Sequence, residues 1–225
     1  MNGTRTASGR RFALAAALLA ASLAAAAEAP KKEPKVTKPR DYAHTLAILK
    51  TSQGDVTVRF FYDKAPNHVK NFVDLSAKGF YDGTLFHRVI PDFMIQGGDP
   101  NTKQPETPTT RYGTGGNKDA TGAPVNVKAE FNDTSHRRGI LSMARSSSPD
   151  SASSQFFIVV KDSLFLDRQY TAFGEVTKGM EVVDKIVAES NYDPASGGAG
   201  KPRNLQKLLK VELVEEPAAA SPAKN

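Results

Sequence analysis

Across residues 46–214 the chain is made of short apolar runs broken by turn residues, and only two stretches carry helical periodicity. Leu46-Ala47-Ile48-Leu49, the turn Ser52-Gln53-Gly54-Asp55 and Val56-Thr57-Val58-Arg59-Phe60-Phe61 read as a β-hairpin. The apolar runs at 139–144, 155–160 and 207–214 alternate, or are short enough to be strands. Pro66 and Gly79 bracket a stretch in which Val69, Phe72, Val73 and Ala77 share one helical face, with proline near the start and glycine just past the end. A second helix is expected from about Met180 to Glu189, where Val183, Ile186 and Val187 share a face after Gly179. About seven or eight short strands with so few helices would expose many edges in an open sheet. The pattern therefore predicts a closed sheet with helices over its open ends, the last strand pairing near the first.

The two ends of the chain read differently from this middle. Arg5, Arg10 and Arg11 precede an uncharged, Ala- and Leu-rich stretch over 12–27 that ends in small residues, the pattern of an export signal with cleavage expected after Ala27. The apolar run is short of the roughly 20 residues needed to span a bilayer, so no lasting membrane insertion is expected after cleavage. The Arg10-Arg11 pair leaves the export route open. Residues 28–43, with Lys31, Lys32, Lys35, Lys38 and Arg40 interrupted by prolines, read as a solvated linker. The Ala/Pro-rich residues 217–225 read as a disordered tail, leaving one domain over 44–216.

Composition narrows the chemistry. Zero cysteines among 225 residues remove thiol catalysis, disulfides and thiolate metal sites, and His44, His68, His87 and His136 show no short metal-binding spacing. No metal or other cofactor is expected. Removing 1–27 takes three arginines and no acids from 30 basic and 24 acidic residues, leaving a net charge of +3, too mild to argue for nucleic acid. The polar excursion over 100–124 is too long for a hairpin and is expected to frame a site, but Gly113-Thr114-Gly115-Gly116-Asn117-Lys118 lacks the spacing of a phosphate loop. No Gly-x-Ser-x-Gly nucleophile turn is present.

One stretch stands out chemically: Phe86-His87-Arg88-Val89-Ile90-Pro91-Asp92-Phe93-Met94-Ile95-Gln96-Gly97-Gly98-Asp99. It sets a guanidinium, a rigid fork of donors that cannot lose its charge, among large apolar side chains. With Val89, Phe93 and Met94 as a groove wall, that fork would grip and polarise an apolar, planar ligand.

This stretch, together with Gly139-Ile140-Leu141-Ser142-Met143-Ala144, Ser154-Gln155-Phe156-Phe157-Ile158 and Phe173-Gly174-Glu175-Val176, resembles the cyclophilins, the peptidyl-prolyl cis-trans isomerases, and in particular their bacterial exported members. The resemblance covers residues 46–214 and implies a mainly β fold, a closed eight-stranded antiparallel β-barrel capped by two α-helices. It implies that Arg88 is the catalytic donor and that Phe93, Met94, Phe157 and Leu166 line a pocket for the proline ring. Gln96 would help place the arginine and the substrate, Gln155 would be a second polar wall residue, and Ala144 and Arg145 would hold the peptide main chain. Phe165 stands where many eukaryotic members have Trp, Tyr170 where they have His, and Arg145 where they have Asn. The resemblance thus implies weaker inhibition by cyclosporin. His87 is expected to support the groove, since isomerisation needs no proton transfer.

The function implied is acceleration of X-Pro isomerisation in unfolded or partly folded exported polypeptides, in the periplasm, by a monomer. The alternative in another class is a chaperone that binds proline peptides without turnover. A third is a structural envelope protein docked through the basic segment of the linker.

Overall fold

The computed structural model describes residues 40–216. The expected signal peptide, all but the end of the linker and the tail lie outside the described residues. The expected hairpin forms from β1 (Thr45–Thr51) and β2 (Gly54–Phe60), in antiparallel register from Leu46 opposite Arg59 to Thr51 opposite Gly54. Helix α1 (Pro66–Ala77) follows, then β3 (Leu85–Phe86), β4 (Arg88–Ile90) and β5 (Met94–Gly97). After the long excursion come β6 (Ile140–Met143), β7 (Phe156–Val159), β8 (Ala172–Lys178), helix α2 (Met180–Glu189) and β9 (Gln206–Glu215). As expected, the last strand pairs with the first, Leu46 lying opposite Val214.

The sheet closes through a single residue. Its nine strands run β3-β9-β1-β2-β8-β6-β7-β5-β4. The two outermost, β3 and β4, are consecutive in the chain with only His87 between them. Phe86 pairs with Gln206 on β9, while Arg88 pairs with Gln96 on β5. Counted as one bent strand, β3-His87-β4 turns the nine segments into the closed, eight-stranded antiparallel barrel the resemblance implies, with both edges satisfied.

Strand alternation then builds two apolar faces from the same residues. Ile95, Leu141, Phe156 and Ile158 point into the main core, where Phe72 of α1 lies 4.8 Å from Tyr81 and 5.3 Å from Phe156 between ring centroids. Their neighbours Met94, Ile140, Phe157 and Val159 form a second cluster on the other side of the sheet, joined by Leu166 and Ala172. This is why β6 and β7 are buried at every position rather than at every other one. Val89 belongs to the main core, not to a groove wall as its neighbours suggested: between Arg88 and Ile90 in a strand, its side chain takes the opposite face.

The helices feed the main core, α1 through Val69, Phe72 and Val73 and α2 through Val183 and Ile186. The first turn of α1 has no side-chain cap of its own. Its free N–H groups at Asn67 and His68 donate instead to the Glu130 carboxylate at 3.0 and 2.9 Å, a negative charge at the favourable end of the helix dipole. The folded region begins slightly ahead of residue 44: Tyr42 stacks on Tyr62 at 6.0 Å and donates to Asp74. Among the described residues no helix is long and apolar enough to cross a membrane.

Candidate active site

The turn from β4 to β5 passes through Asp92 at φ 58°, which lets the strand double back so that Arg88 stands opposite Gln96 and Ile90 opposite Met94. Arg88, Met94 and Gln96 thereby project from neighbouring strands on the second face of the sheet, beside Phe157 across the β5–β7 pair. A cavity of about 220 Å³ opens there. Arg88, Phe93, Met94, Gln96, Ala144, Arg145, Phe157, Phe165, Leu166 and Tyr170 line it. Of the site residues that the resemblance implied, only Gln155 is absent from this lining, and it borders the adjoining cavity while bonded to Gln96.

The apolar floor is tightly enclosed. Met94, Phe157 and Leu166 are buried, and Phe157 meets the Tyr170 ring edge-on at 5.7 Å. Beneath it His136 stacks at 6.2 Å, with Nε2 3.0 Å from Ser142 Oγ and Nδ1 3.0 Å from Asp167. Burial lowers the His136 pKa from its ordinary value against the opposing pull of Asp167. Phe93 and the exposed Phe165 face each other at 5.5 Å and form the outer rim. Arg145 lies over the Tyr170 ring at 4.6 Å and donates to the Gln169, Ser146 and Ser147 carbonyls, so its charge closes the rim.

The polar edge is a relay of hydrogen bonds. Arg88 Nη1 donates to Gln96 Oε1 at 3.3 Å, Gln96 Nε2 donates to Gln155 Oε1 at 2.9 Å, and Gln155 Nε2 donates to the Gly115 carbonyl at 2.8 Å. On the other side Arg88 Nε and Nη2 both donate to the Gly198 carbonyl, at 3.2 and 2.9 Å. The guanidinium, half-buried, has its pKa lowered by that burial, yet a guanidinium remains charged in proteins. Its remaining neighbours on the cavity side are Phe93 and Met94: Cζ lies 5.9 Å from the Phe93 ring centre and Nη1 lies 3.8 Å from Met94 Sδ.

Two parts of this arrangement escaped sequence reasoning. The Gly198 carbonyl lies in the turn segment Pro194–Ala199, whose only local signal is a cluster of small residues. Gly200 seats that turn: with φ 60°, its missing Cβ would lie 2.5 Å from Ile90 Cγ1, so only glycine lets the segment approach the strand that carries Arg88. The His136 pedestal under Phe157 likewise had no signal beyond a lone histidine. His87, expected to support the groove, is buried at the strand junction with no hydrogen-bond partner at either ring nitrogen. Among the described residues no group of three or more His, Asp or Glu is placed to hold a metal ion.

Comparison with known proteins agrees with this geometry. Residues 46–212 match the family model described as cyclophilin type peptidyl-prolyl cis-trans isomerase. A peptidyl-prolyl cis-trans isomerase of Acinetobacter baylyi is 41% identical over 178 residues, covering 76% of this chain and 86% of the relative. Peptidyl-prolyl cis-trans isomerase B of Escherichia coli is 44% identical over 151 residues, covering 63% and 83%. The crystal structure of a Cryptosporidium parvum cyclophilin type isomerase, determined in the presence of the dipeptide Ala-Pro, superposes with a TM-score of 0.63 at 31% identity, covering 76% of this chain and 99% of that one. Matched over most of its described length in sequence and in fold, the chain belongs to the cyclophilin-type peptidyl-prolyl cis-trans isomerase family.

Proposed function

We propose that this isomerase acts on proline-containing segments of unfolded or partly folded exported polypeptides, in the periplasm, with Arg88 as its catalytic residue. Resonance keeps the X-Pro amide planar, and rotation about its C–N bond meets a barrier of about 18 to 20 kcal/mol. Twisting uncouples the proline nitrogen from the carbonyl and leaves a localised lone pair on nitrogen. A fixed donor at that nitrogen binds the twisted amide better than the planar one, and no covalent bond has to break.

The observation that carries this reading is how Arg88 is held. Of the five N–H groups of a guanidinium, three are used to fix it, two on the Gly198 carbonyl and one on Gln96. Of the remaining pair, the one on Nη1 meets only the weak acceptor Met94 Sδ at 3.8 Å, in the floor of the apolar cavity. A proline ring seated against Met94, Phe157 and Leu166 would bring its nitrogen beside that donor. Simple capture of proline segments would need the cavity but not so firmly oriented a cation, which favours turnover over passive binding.

Export rests on the basic-then-apolar pattern over 1–27. Mass spectrometry of the protein from fractionated cells of its native host tests it. The expected result is a periplasmic chain beginning at Glu28; a cytoplasmic chain that keeps residues 1–27 would refute it.

A further inference from the structure

A second cavity, of about 360 Å³, shares Arg88 and Gln96 with the apolar groove and otherwise has its own walls. His87 at the strand junction, Thr109 and Tyr112 of the long excursion, and Lys201 ahead of β9 contribute its polar groups. The lining carries two fixed positive charges, two hydroxyls and an imidazole, and no carboxylate. The buried Asp99, close by in the excursion, is taken up by the backbone N–H groups of Asn101 and Gly113.

The two cations with no carboxylate beside them are what point to a ligand. His87 is 7% exposed and both its ring nitrogens are shut off from solvent, so the ring serves as a wall of the cavity and not as a donor to its contents. Burial lowers its pKa despite the nearby Asp99, so this wall adds no third charge. An anionic group entering the cavity would meet Lys201 and Arg88, with the Thr109 and Tyr112 hydroxyls beside them. A carboxylate pairs with both charges, whereas an ammonium or guanidinium meets two like charges.

We propose that this cavity is a subsite for an acidic side chain of the polypeptide substrate, a residue or two from the proline. Because the two cavities share the Arg88–Gln96 wall, one extended chain advancing about 3.3 to 3.6 Å per residue can fill both. The subsite rests on the isomerase reading above, and it makes the enzyme favour prolines with an aspartate or glutamate close by.

Exchange NMR on paired peptides tests it, each with one proline and with glutamate or glutamine placed in turn at each of the nearest positions on either side. At one position the glutamate peptide is expected to exceed its glutamine partner in kcat/KM by about three- to tenfold, chiefly through KM. Lys201→Gln is expected to bring that ratio close to one and Lys201→Glu to invert it, and added salt to weaken it in the wild type. Equal rates within every pair, or a glutamate preference untouched by both Lys201 variants, would overturn the subsite and leave the isomerase reading standing. Absence of catalysed exchange on every peptide would refute that reading, and the subsite with it.

Discussion

Replacing Gln96 with alanine separates the positioning of Arg88 from its chemistry. Gln96 supplies one of three oxygen contacts on the guanidinium, at 3.3 Å, the other two being the 3.2 and 2.9 Å bonds to Gly198. A hydrogen bond to a charged group contributes about 1.5 to 3 kcal/mol, and a bond this long belongs at the lower end. Loss of about 1.5 kcal/mol of transition-state positioning corresponds to roughly a tenfold fall in kcat/KM. That is well short of the loss expected for removing the donor itself, because Gly198 still holds the fork. A protease-coupled peptide assay or exchange NMR reads the rate, and thermal unfolding confirms that the half-buried Gln96 is not needed for folding. Since Gln96 is argued to act through Arg88, its truncation in an Arg88→Ala background should cost little more. An undiminished rate for Gln96→Ala, or a full tenfold further loss in that background, would refute the relay.

Further predictions concern stability. His68 has Nδ1 at 2.6 Å from Glu130 and a buried Nε2 without a partner, and burial outweighs Glu130 to hold its pKa below the ordinary value; burial does the same to His87. The unfolded chain takes up protons at both sites as pH falls below about 6.5 while the folded chain resists. Stability is therefore full above that pH and declines below it, by up to about 1.4 kcal/mol per pH unit for each histidine. Denaturant titrations between about pH 7.5 and 5.5 check this, and a stability that stays level or rises on acidification would contradict it. Gly98 has φ 82°, and a Cβ there would lie 2.6 Å from the Ser154 carbonyl oxygen, so Gly98→Ala is expected to lower unfolding free energy by about 2 to 4 kcal/mol. A denaturation midpoint equal to wild type would show that the β5 end can yield.

Much of the barrel was legible because local and global signals agree. The helical face from Val183 to Val187 after Gly179 and the hairpin around Ser52-Gln53 depend on residues near in sequence, and both appear where expected. The groove was legible because alternation along β5 and β7 puts Met94, Gln96 and Phe157 on one face. Val89 was misplaced for the same reason, since a shift of one residue in a strand exchanges faces. The nine-for-eight strand count turns on His87 interrupting one bent strand, which no apolar pattern announces. The Gly198 support lies 110 residues from Arg88 and the Glu130 cap 62 residues from His68. Such pairings come from the closed topology, and propensity carries no trace of them.

The central claim is that one oriented guanidinium stabilises the twisted amide, and the most direct measurement is the isomerisation rate of Arg88→Ala beside wild type. With the fold intact by circular dichroism, kcat/KM is expected to fall by about 100- to 1,000-fold. Arg88→Lys, which keeps the charge but cannot reach Gly198 and Gln96 together, should recover little of it. A folded Arg88→Ala enzyme within about threefold of wild type, less than the roughly 0.7 kcal/mol such a factor represents, would contradict the account.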